Sequence, residues 1–527
     1  VGMGGNTLID SVRIGAERLP DAPVLRFVHT DENGVLVSEV RCYRELLRNA
    51  STLAAAIAQR STDSSGNIAL MMNNHPEFVE AMLACGILNR AFVPIDPRAR
   101  GVKLEFMLTH TECTGLLCAD YSLDQITEVL AQTGIEWLLC VNSSGQTLKT
   151  GARGRVKIED YHQALSALLP IPAAQPVAAD SPMFMMFTSG TTGKPKAVVI
   201  SHAKYMAQAG ALKNLGVTND DVLYTGLSLT HINAQNFLRN SLELGIPLVI
   251  SRKFSKSRLW DICREFNCSV FSLLGGMIPE IYAVPEQPSD ADNPMRLVIS
   301  SGMPAAIWQD FEKRFGVKLV EVYGATEGGG LVNPGTGPVG SIGKPSPDWE
   351  AQILNSEGRI CQAGEVGEIC FRRKDGAAVH VDYYKNAQAA QAKVTGGWLH
   401  MGDLGHRDED GWFYFHSRSG GGVRRNGDFV NTALVESVLI QFPAVTDAFV
   451  YGVVMPKNVS GEKTLVAAVV MDKFDSSSEA QLQEYCQRHL EKNDVPEIFQ
   501  FLEEIPKTVS EKPIERECVA LLESAED

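Results

Sequence analysis

The sequence lacks several features that would have set its class at once. It has no excess of basic residues: 48 Lys and Arg stand against 63 Asp and Glu, for a formal net charge of −15. An overall field of that sign repels polyanions, which argues against nucleic acid as a partner and leaves room only for a local basic pocket. It has no C-x-x-C pair. Its 11 cysteines are scattered from Cys42 to Cys518, and an odd, unpatterned set argues against a disulfide framework or a zinc site. The thiols therefore read as buried groups in a reducing compartment. No apolar run approaches the roughly 18 residues of a membrane span. The opening VGMGGNTLIDSV has neither the basic region nor the long apolar core of a secretory signal. Internal repeats and long low-complexity tracts are also missing. These absences describe a soluble, cytoplasmic protein with no transmembrane segment, in keeping with an enzyme of small molecules.

What is present is a long chain with ample core-forming material: 527 residues, 44% of them hydrophobic. Single cores stop growing at roughly 250–300 residues, so more than one domain is expected. PEFVEAMLACGIL (76–88) has proline at a helix start and apolar residues at helical spacing, while AFVPID (91–96), TGLLCAD (114–120) and IEWLLCV (135–141) read as short buried strands. Such alternation predicts an α/β fold with a mainly parallel sheet. HRDEDGWFYFHS reads as a hairpin turning at Asp410-Gly411, and three successive glycines follow in RSGGGVRRNG (418–427). Beyond them TALVESVLIQF predicts a helix capped by Thr432, DAFVYGVVM and KTLVAAVVM two strands, SSEAQLQEYCQRHLE an amphipathic helix, and EIFQFLEEI a last strand. The expected organisation is a large N-terminal domain of layered sheets and helices (1–418), a hinge (419–422) and a small, mobile α+β C-terminal domain (423–527). On local grounds alone an ordinary surface loop, which most glycine-rich loops are, accounts for the glycines better than a hinge.

TSGTTGKPK (188–196) packs hydroxyls, glycines and lysines into nine residues, the composition of a loop that wraps phosphate. It does not match the nucleotide loop G-x-x-x-x-G-K-[ST], because Gly190 and Gly193 are too close and Lys194 precedes proline. Its flanks, MFMMF and AVVIS, are strand-like, so no helix follows directly to aim its dipole at an anion. Phosphate would have to be held by backbone amides, by the hydroxyls of Thr188, Ser189, Thr191 and Thr192, and by Lys194 or Lys196. A solvated turn has the same composition.

Further motifs follow in order: VYGATEGG (322–329), GWLHMGDLGHRDEDGWFYF (397–415), RSGGGVRRNGDFVNTALVE (418–436) and PKTVSEKPIER (506–516). With TSGTTGKPKAVVISH they resemble the motifs of the adenylate-forming superfamily of acyl-CoA synthetases, peptide-synthetase adenylation domains and luciferases. The resemblance extends over nearly the whole chain and lies nearest the acyl-CoA ligase branch, with a lysine segment similar to that of crotonobetaine/carnitine-CoA ligases. It implies an AMP-forming acid–thiol ligase using ATP, Mg²⁺ and coenzyme A, with a small carboxylic acid as partner and a homodimer left open. The carboxylate attacks the α-phosphate of ATP, and a thiol then attacks the acyl-adenylate. Positioning and charge neutralisation would supply most of the catalysis, since two anions must meet.

The resemblance also implies roles. Thr188 to Lys196, including Ser189, Gly190, Thr191, Thr192, Gly193 and Lys194, would hold the β- and γ-phosphates. Thr326 would meet the α-phosphate, and Glu327 would help bind Mg²⁺, a hard ion that prefers oxygen. Tyr323 would cover the adenine, with backbone of Gly302, Met303 and Pro304 on its other side. Asp403 would accept from the ribose hydroxyls, with Arg418 near the ribose and hinge. Lys512 would pair with the carboxylate and α-phosphate as they approach. Gly420 would be the pivot, and Arg424 to Gly427 the face met by the thiol.

The chain departs from the family pattern at Ser417, Gly420, Asn426 and Glu511, which bears on hinge energetics and on the geometry of the lysine loop. SLTHINAQN (228–236) resembles the segment bordering the acyl site, with His231 as a gate and Asn233 beside it. SLLGGMIP (272–279) would add a second wall, where Gly275 and Gly276 leave space, with Gly324 at the pocket's edge. Neither segment carries a charged clamp, which favours an apolar or neutral acyl group. Two other readings are an enzyme that loads a carrier protein and a non-catalytic binding protein of the same fold.

Overall fold

Apolar strands buried on both faces set the architecture. The computed structural model describes residues 2–526 apart from 62–64, 149, 167–176, 189–194, 275–276, 419–422, 427, 457, 459–461, 472–474, 476 and 507–512. The chain divides into two compact units. The larger comprises Val1–Pro97, Phe106–Phe187 and Ala197–His416; the smaller comprises Arg98–Glu105, Thr188–Lys196 and Ser417–Asp527.

In the larger unit, one sheet runs from edge to edge through Lys344–Pro345, Gly328–Asn333, Lys318–Ala325, Leu297–Ser301, Val270–Leu274, Leu223–Thr225, Leu248–Ser251, Pro23–Thr30 and Leu36–Cys42. Its interior pairs are parallel and its two ends antiparallel. A second sheet is centred on Phe92–Pro94, Asn67–Met71, Cys113–Ala119 and Trp137–Val141, all parallel. The two-residue period of a strand assigns alternate side chains to opposite cores. Leu297, Ile299 and Val320 enter the core that also holds Leu70 and Leu117 of the second sheet, whereas Val298 and Leu319 enter a core on the other face, with Trp308, Phe311 and Phe315.

The helix Pro76–Ile87 contributes to the shared core and is buried along its whole length. Proline at its first position costs no intrahelical hydrogen bond. Its buried Glu80 is satisfied by Arg41 Nε (2.7 Å), Asn49 Nδ2 (2.8 Å) and Tyr161 Oη (3.2 Å), as burial of a carboxylate requires. A third, antiparallel sheet joins Trp349–Leu354, Gly367–Arg373 and Trp398–Arg407. The expected Asp410-Gly411 turn is there: Gly411 has φ +83°, and Asp408 pairs with Trp412 through backbone (2.9 Å) and carboxylate (2.8 Å).

The smaller unit has its own sheet of Val445–Val453, Thr464–Met471 and Ile498–Phe501, antiparallel then parallel. Its central strand is apolar on both sides. Leu465, Ala467 and Val469 face a core with Val435, Leu439, Leu482 and Cys486, while Val466 and Ala468 face another with Tyr451, Ile505 and Cys518. The helix Thr432–Leu439 is capped by Asn431, whose side chain accepts the Leu434 N–H at 3.2 Å, and not by Thr432, its first helical residue. Asparagine reaches the orphan N–H of the first turn at least as well as threonine.

All 11 cysteines are free; ten are buried and Cys42 is half-buried. Burial pushes the thiols of Cys85, Cys113 and Cys486 up to about 12. Among the described residues no helix is long and apolar enough to cross a membrane.

Candidate active site

The strand Lys318–Ala325 turns back into Gly328–Asn333 with Ala325 opposite Gly328, so Thr326 and Glu327 form the two-residue tip of a hairpin. Its return needs glycine. Gly329 sits at φ +79°, and a Cβ there would lie 2.7 Å from the Phe371 ring. Tyr323 also stacks on Phe371, at 6.4 Å between centroids and 21° between planes. The tip is thereby pressed onto the third sheet. That brings Tyr323 Oη to donate to Asp403 Oδ2 at 2.6 Å, across 80 positions of sequence. The backbone beside Asp403 is fixed by Glu368, which accepts the Gly402 N–H (2.8 Å) and pairs with His400 Nδ1 (2.8 Å).

Glu327 is buried. Its Oε1 accepts from Tyr383 Oη at 2.7 Å, and its backbone carbonyl accepts from Lys204 Nζ at 3.0 Å. Burial lowers the Lys204 pKa, against the opposing pull of Glu327 and Asp382. The neighbouring strand Leu297–Ser301 leads into the segment with Gly302, Met303 and Pro304. Buried Glu321 organises that segment: it accepts from Ser300 Oγ, from the Gly302 N–H and from the Met303 N–H (3.1 Å). Gly302 takes φ +93°, a left-handed conformation that suits glycine.

His231 and Asn233 belong to the start of the helix Ile232–Leu244. His231 is its exposed N-cap residue and Asn233 is half-buried. The loop before them is held by buried Asn74, which donates to the carbonyls of Leu227 (2.8 Å) and Ser251 (2.9 Å) and accepts the Leu229 N–H (2.8 Å). Among the described residues neither His231 nor Asn233 bonds to the Tyr323–Asp403 pair or to Glu327.

In the smaller unit Thr188 Oγ1 donates to the Lys196 carbonyl at 3.4 Å, and these two residues end the strands Pro182–Thr188 and Lys196–Ser201. Arg418 closes the strand Phe413–Arg418, and Arg424 lies opposite Phe429 in a short hairpin. Asn426 adopts φ +50° and donates to Asn493 Oδ1 at 2.8 Å. Asparagine is among the non-glycine residues that most readily take such a left-handed backbone. Ser189, Gly190, Thr191, Thr192, Gly193, Lys194, Gly275, Gly276, Gly420, Gly427 and Lys512 lie outside the described residues. The Ile514 N–H donates to the Pro506 carbonyl at 2.9 Å, tying together the ends of the segment that carries Lys512.

Two family models match: AMP-binding enzyme over residues 13–380, and AMP-binding enzyme C-terminal domain over 434–512. The chain belongs to the AMP-binding enzyme family. Its curated relatives include the crotonobetaine/carnitine–CoA ligase of Salmonella typhimurium, 27% identical over 458 residues that cover 85% of this chain and 87% of the relative. That of Salmonella paratyphi B is 28% identical over 457 residues, with the same coverage. Among solved structures, the o-succinylbenzoate CoA synthetase of Bacillus subtilis superposes with TM-score 0.79 at 24% identity, covering 96% of this chain and 98% of that one. The amide bond synthetase of Marinactinospora thermotolerans gives 0.79 at 20%, covering 98% and 99%. The Bacillus enzyme in complex with ATP and magnesium ion gives 0.66 at 24%, covering 97% and 99%. Its α/β fold, with a large and a small domain, is the one that the resemblance of its motifs implies.

Hairpin and strand together account for what the sequence missed. Glu321, Lys204, Tyr383, Glu368 and Asn74 position residues that the motifs name, yet none belongs to a motif quoted above. Glu321 alone left a local trace, as a carboxylate set within the apolar run of KLVEVYG.

Proposed function

We propose that this enzyme activates a carboxylic acid with ATP and transfers the acyl group to the thiol of coenzyme A. In the first half-reaction a carboxylate oxygen attacks the α-phosphorus of ATP and the bond to the β-phosphate breaks, giving acyl-adenylate and pyrophosphate. In the second the thiol sulfur attacks the acyl carbonyl, its proton leaves, and AMP departs. The observation that carries this reading is the hairpin tip. There one turn presents Thr326 and Glu327 while the Tyr323 hydroxyl reaches Asp403 at 2.6 Å.

On this reading Tyr323 and the Gly302–Pro304 backbone flank the adenine, Asp403 takes the ribose hydroxyls, and Thr326 orients the α-phosphate. Tyr383 holds the Glu327 carboxylate in one orientation. Glu327 is a single hard oxygen ligand, which fits Mg²⁺ arriving with the phosphates of its nucleotide and keeping several waters. Magnesium would supply neutralisation of phosphate charge. The Bacillus synthetase solved with ATP and magnesium ion supports the same pair here. Lys512 and the Thr188–Lys196 loop complete the charge balance, and Arg424 with Gly427 serves the thiol step.

The test is to incubate the enzyme with ATP, Mg²⁺ and a panel of acids, with and without coenzyme A, following AMP and thioester mass. Thioester and AMP formed together, only with acid and coenzyme A present, are expected. Adenylate that accumulates without transfer to coenzyme A would move the acceptor to a carrier protein. Absence of turnover across the panel would refute the ligase reading.

A further inference from the structure

Arg239 is among the largest fully buried side chains, at 2% exposure, and among the described residues it makes no ion pair with an acid. Its Nη2 donates to two neutral amide oxygens, Asn236 Oδ1 at 2.8 Å and Gln208 Oε1 at 3.5 Å, while Nε meets no acceptor. Its guanidinium lies over the Tyr205 ring, 4.8 Å from the centroid. The acid one turn further on, Glu243, points away, accepting from Ser11 Oγ (2.6 Å) and Gly4 N–H (2.8 Å). A guanidinium cannot shed its proton to escape such a site. A buried cation without a counter-charge costs several kcal/mol that an apolar residue of similar size would not. Burial accordingly lowers its pKa, and only Tyr205 opposes that effect.

The place of this cost in the fold is informative. Arg239 lies on the helix Ile232–Leu244, whose capping residue is His231. Ile232, Asn236 and Arg239 are spaced four and three apart and so share one face. From Ile232, next to the expected gate His231, to Arg239 the helix rises about 10 Å.

We propose that Arg239, with the Asn236 amide beside it, is a subsite for a negatively charged group at the far end of the acid that the enzyme activates. The substrate class is therefore dicarboxylic acids, of which one carboxylate is adenylated and the other meets Arg239. This inference rests on the ligase reading above for the identity of the reacting end. It replaces the apolar or neutral acyl group that the two pocket segments favour.

The experiment compares kcat/KM for C4 to C10 dicarboxylic acids, monocarboxylic acids of matching length, and crotonobetaine, in the wild type, Arg239→Gln and Arg239→Lys. The wild type should prefer at least one dicarboxylic acid over its monocarboxylic counterpart. Arg239→Gln should lower that ratio at least about tenfold, and Arg239→Lys should retain part of it. An unchanged ratio in Arg239→Gln, or a wild-type preference for crotonobetaine, would overturn the proposal. Thermal melts add an independent readout, because removing an unpaired buried charge should leave the midpoint of Arg239→Gln equal or higher. A fall of several degrees would assign Arg239 to folding instead. If no acid supports AMP formation, the ligase reading fails on its own. The subsite is then judged by whether the same dicarboxylic acids raise the melting midpoint of the wild type and not of Arg239→Gln.

Discussion

At the scale of single residues, the molecule separates groups that would touch substrate from groups that hold them. On the proposed reading Lys512 belongs to the first kind. Replacing it with alanine should abolish acid-dependent pyrophosphate release while leaving thioester formation from a supplied acyl-adenylate largely intact; rapid-quench assays of the two half-reactions check this, and equal loss of both would remove Lys512 from adenylation. Glu321 belongs to the second. It satisfies three donors around Gly302, and Glu321→Gln would turn an amide N–H₂ toward some of them. A stability loss of about 2–3 kcal/mol in urea melts is expected, with KM for ATP raised more than KM for the acid. Residues proposed for the first kind are named by fixed motifs: Tyr323, Thr326 and Glu327 lie within eight residues of one another in VYGATEGG. Those of the second kind were not, because their partners are remote in sequence. Nothing local to Tyr383 announces a hydrogen bond to Glu327, 56 positions away. Arg239 has a related history: nothing local in the sequence marks it, and only packing shows that it is buried.

At the scale of elements, apolar periodicity placed the strands and helices named from the sequence, and end chemistry was harder to read. Asn431 and Thr432 are both good caps, and which one the backbone uses depends on where the strand before it stops. The helix Pro76–Ile87 offers an element-level prediction. Its N-cap residue His75 is buried, and burial, then Arg252, holds its pKa down to about 3. Tyr121 Oη accepts the Asn73 N–H at 2.6 Å, and its own proton is left for His75 Nε2 at 3.2 Å, which suits a neutral ring. The dipole of the helix start also disfavours a cation. Unfolded histidine takes up its proton near pH 6.5, so between that pH and about 3 the unfolded chain binds more protons than the native one. Stability should therefore fall as pH drops below about 6.5, by up to about 1.4 kcal/mol per unit from this residue. Melting midpoints from pH 7.5 to 5.5 should show a shallower slope for His75→Asn, whose amide suits the N-cap position.

At the scale of the whole molecule, length alone implied several cores, and the class of fold followed from alternating strands and helices. The strand order could not be read, since pairs such as Leu297–Ser301 with Lys318–Ala325, or Tyr323 with Asp403, depend on contacts between distant segments. Both cores of the smaller unit are built from residues between Val423 and Leu522. A fragment of residues 423–527 should therefore fold alone, with a cooperative thermal transition in circular dichroism; a featureless melt would show that its cores need the rest of the chain.

The thiols give the molecule a practical property. Ten are sequestered in cores and Cys42 alone is partly accessible, so a colorimetric thiol reagent at neutral pH should report about one reactive group in the native enzyme and 11 after denaturation. That makes the natural sequence close to a single-label protein. A dye on Cys42, paired with a second on a cysteine introduced into the smaller unit, would measure the distance between the two units before and after acyl-adenylate forms, without first stripping the other ten.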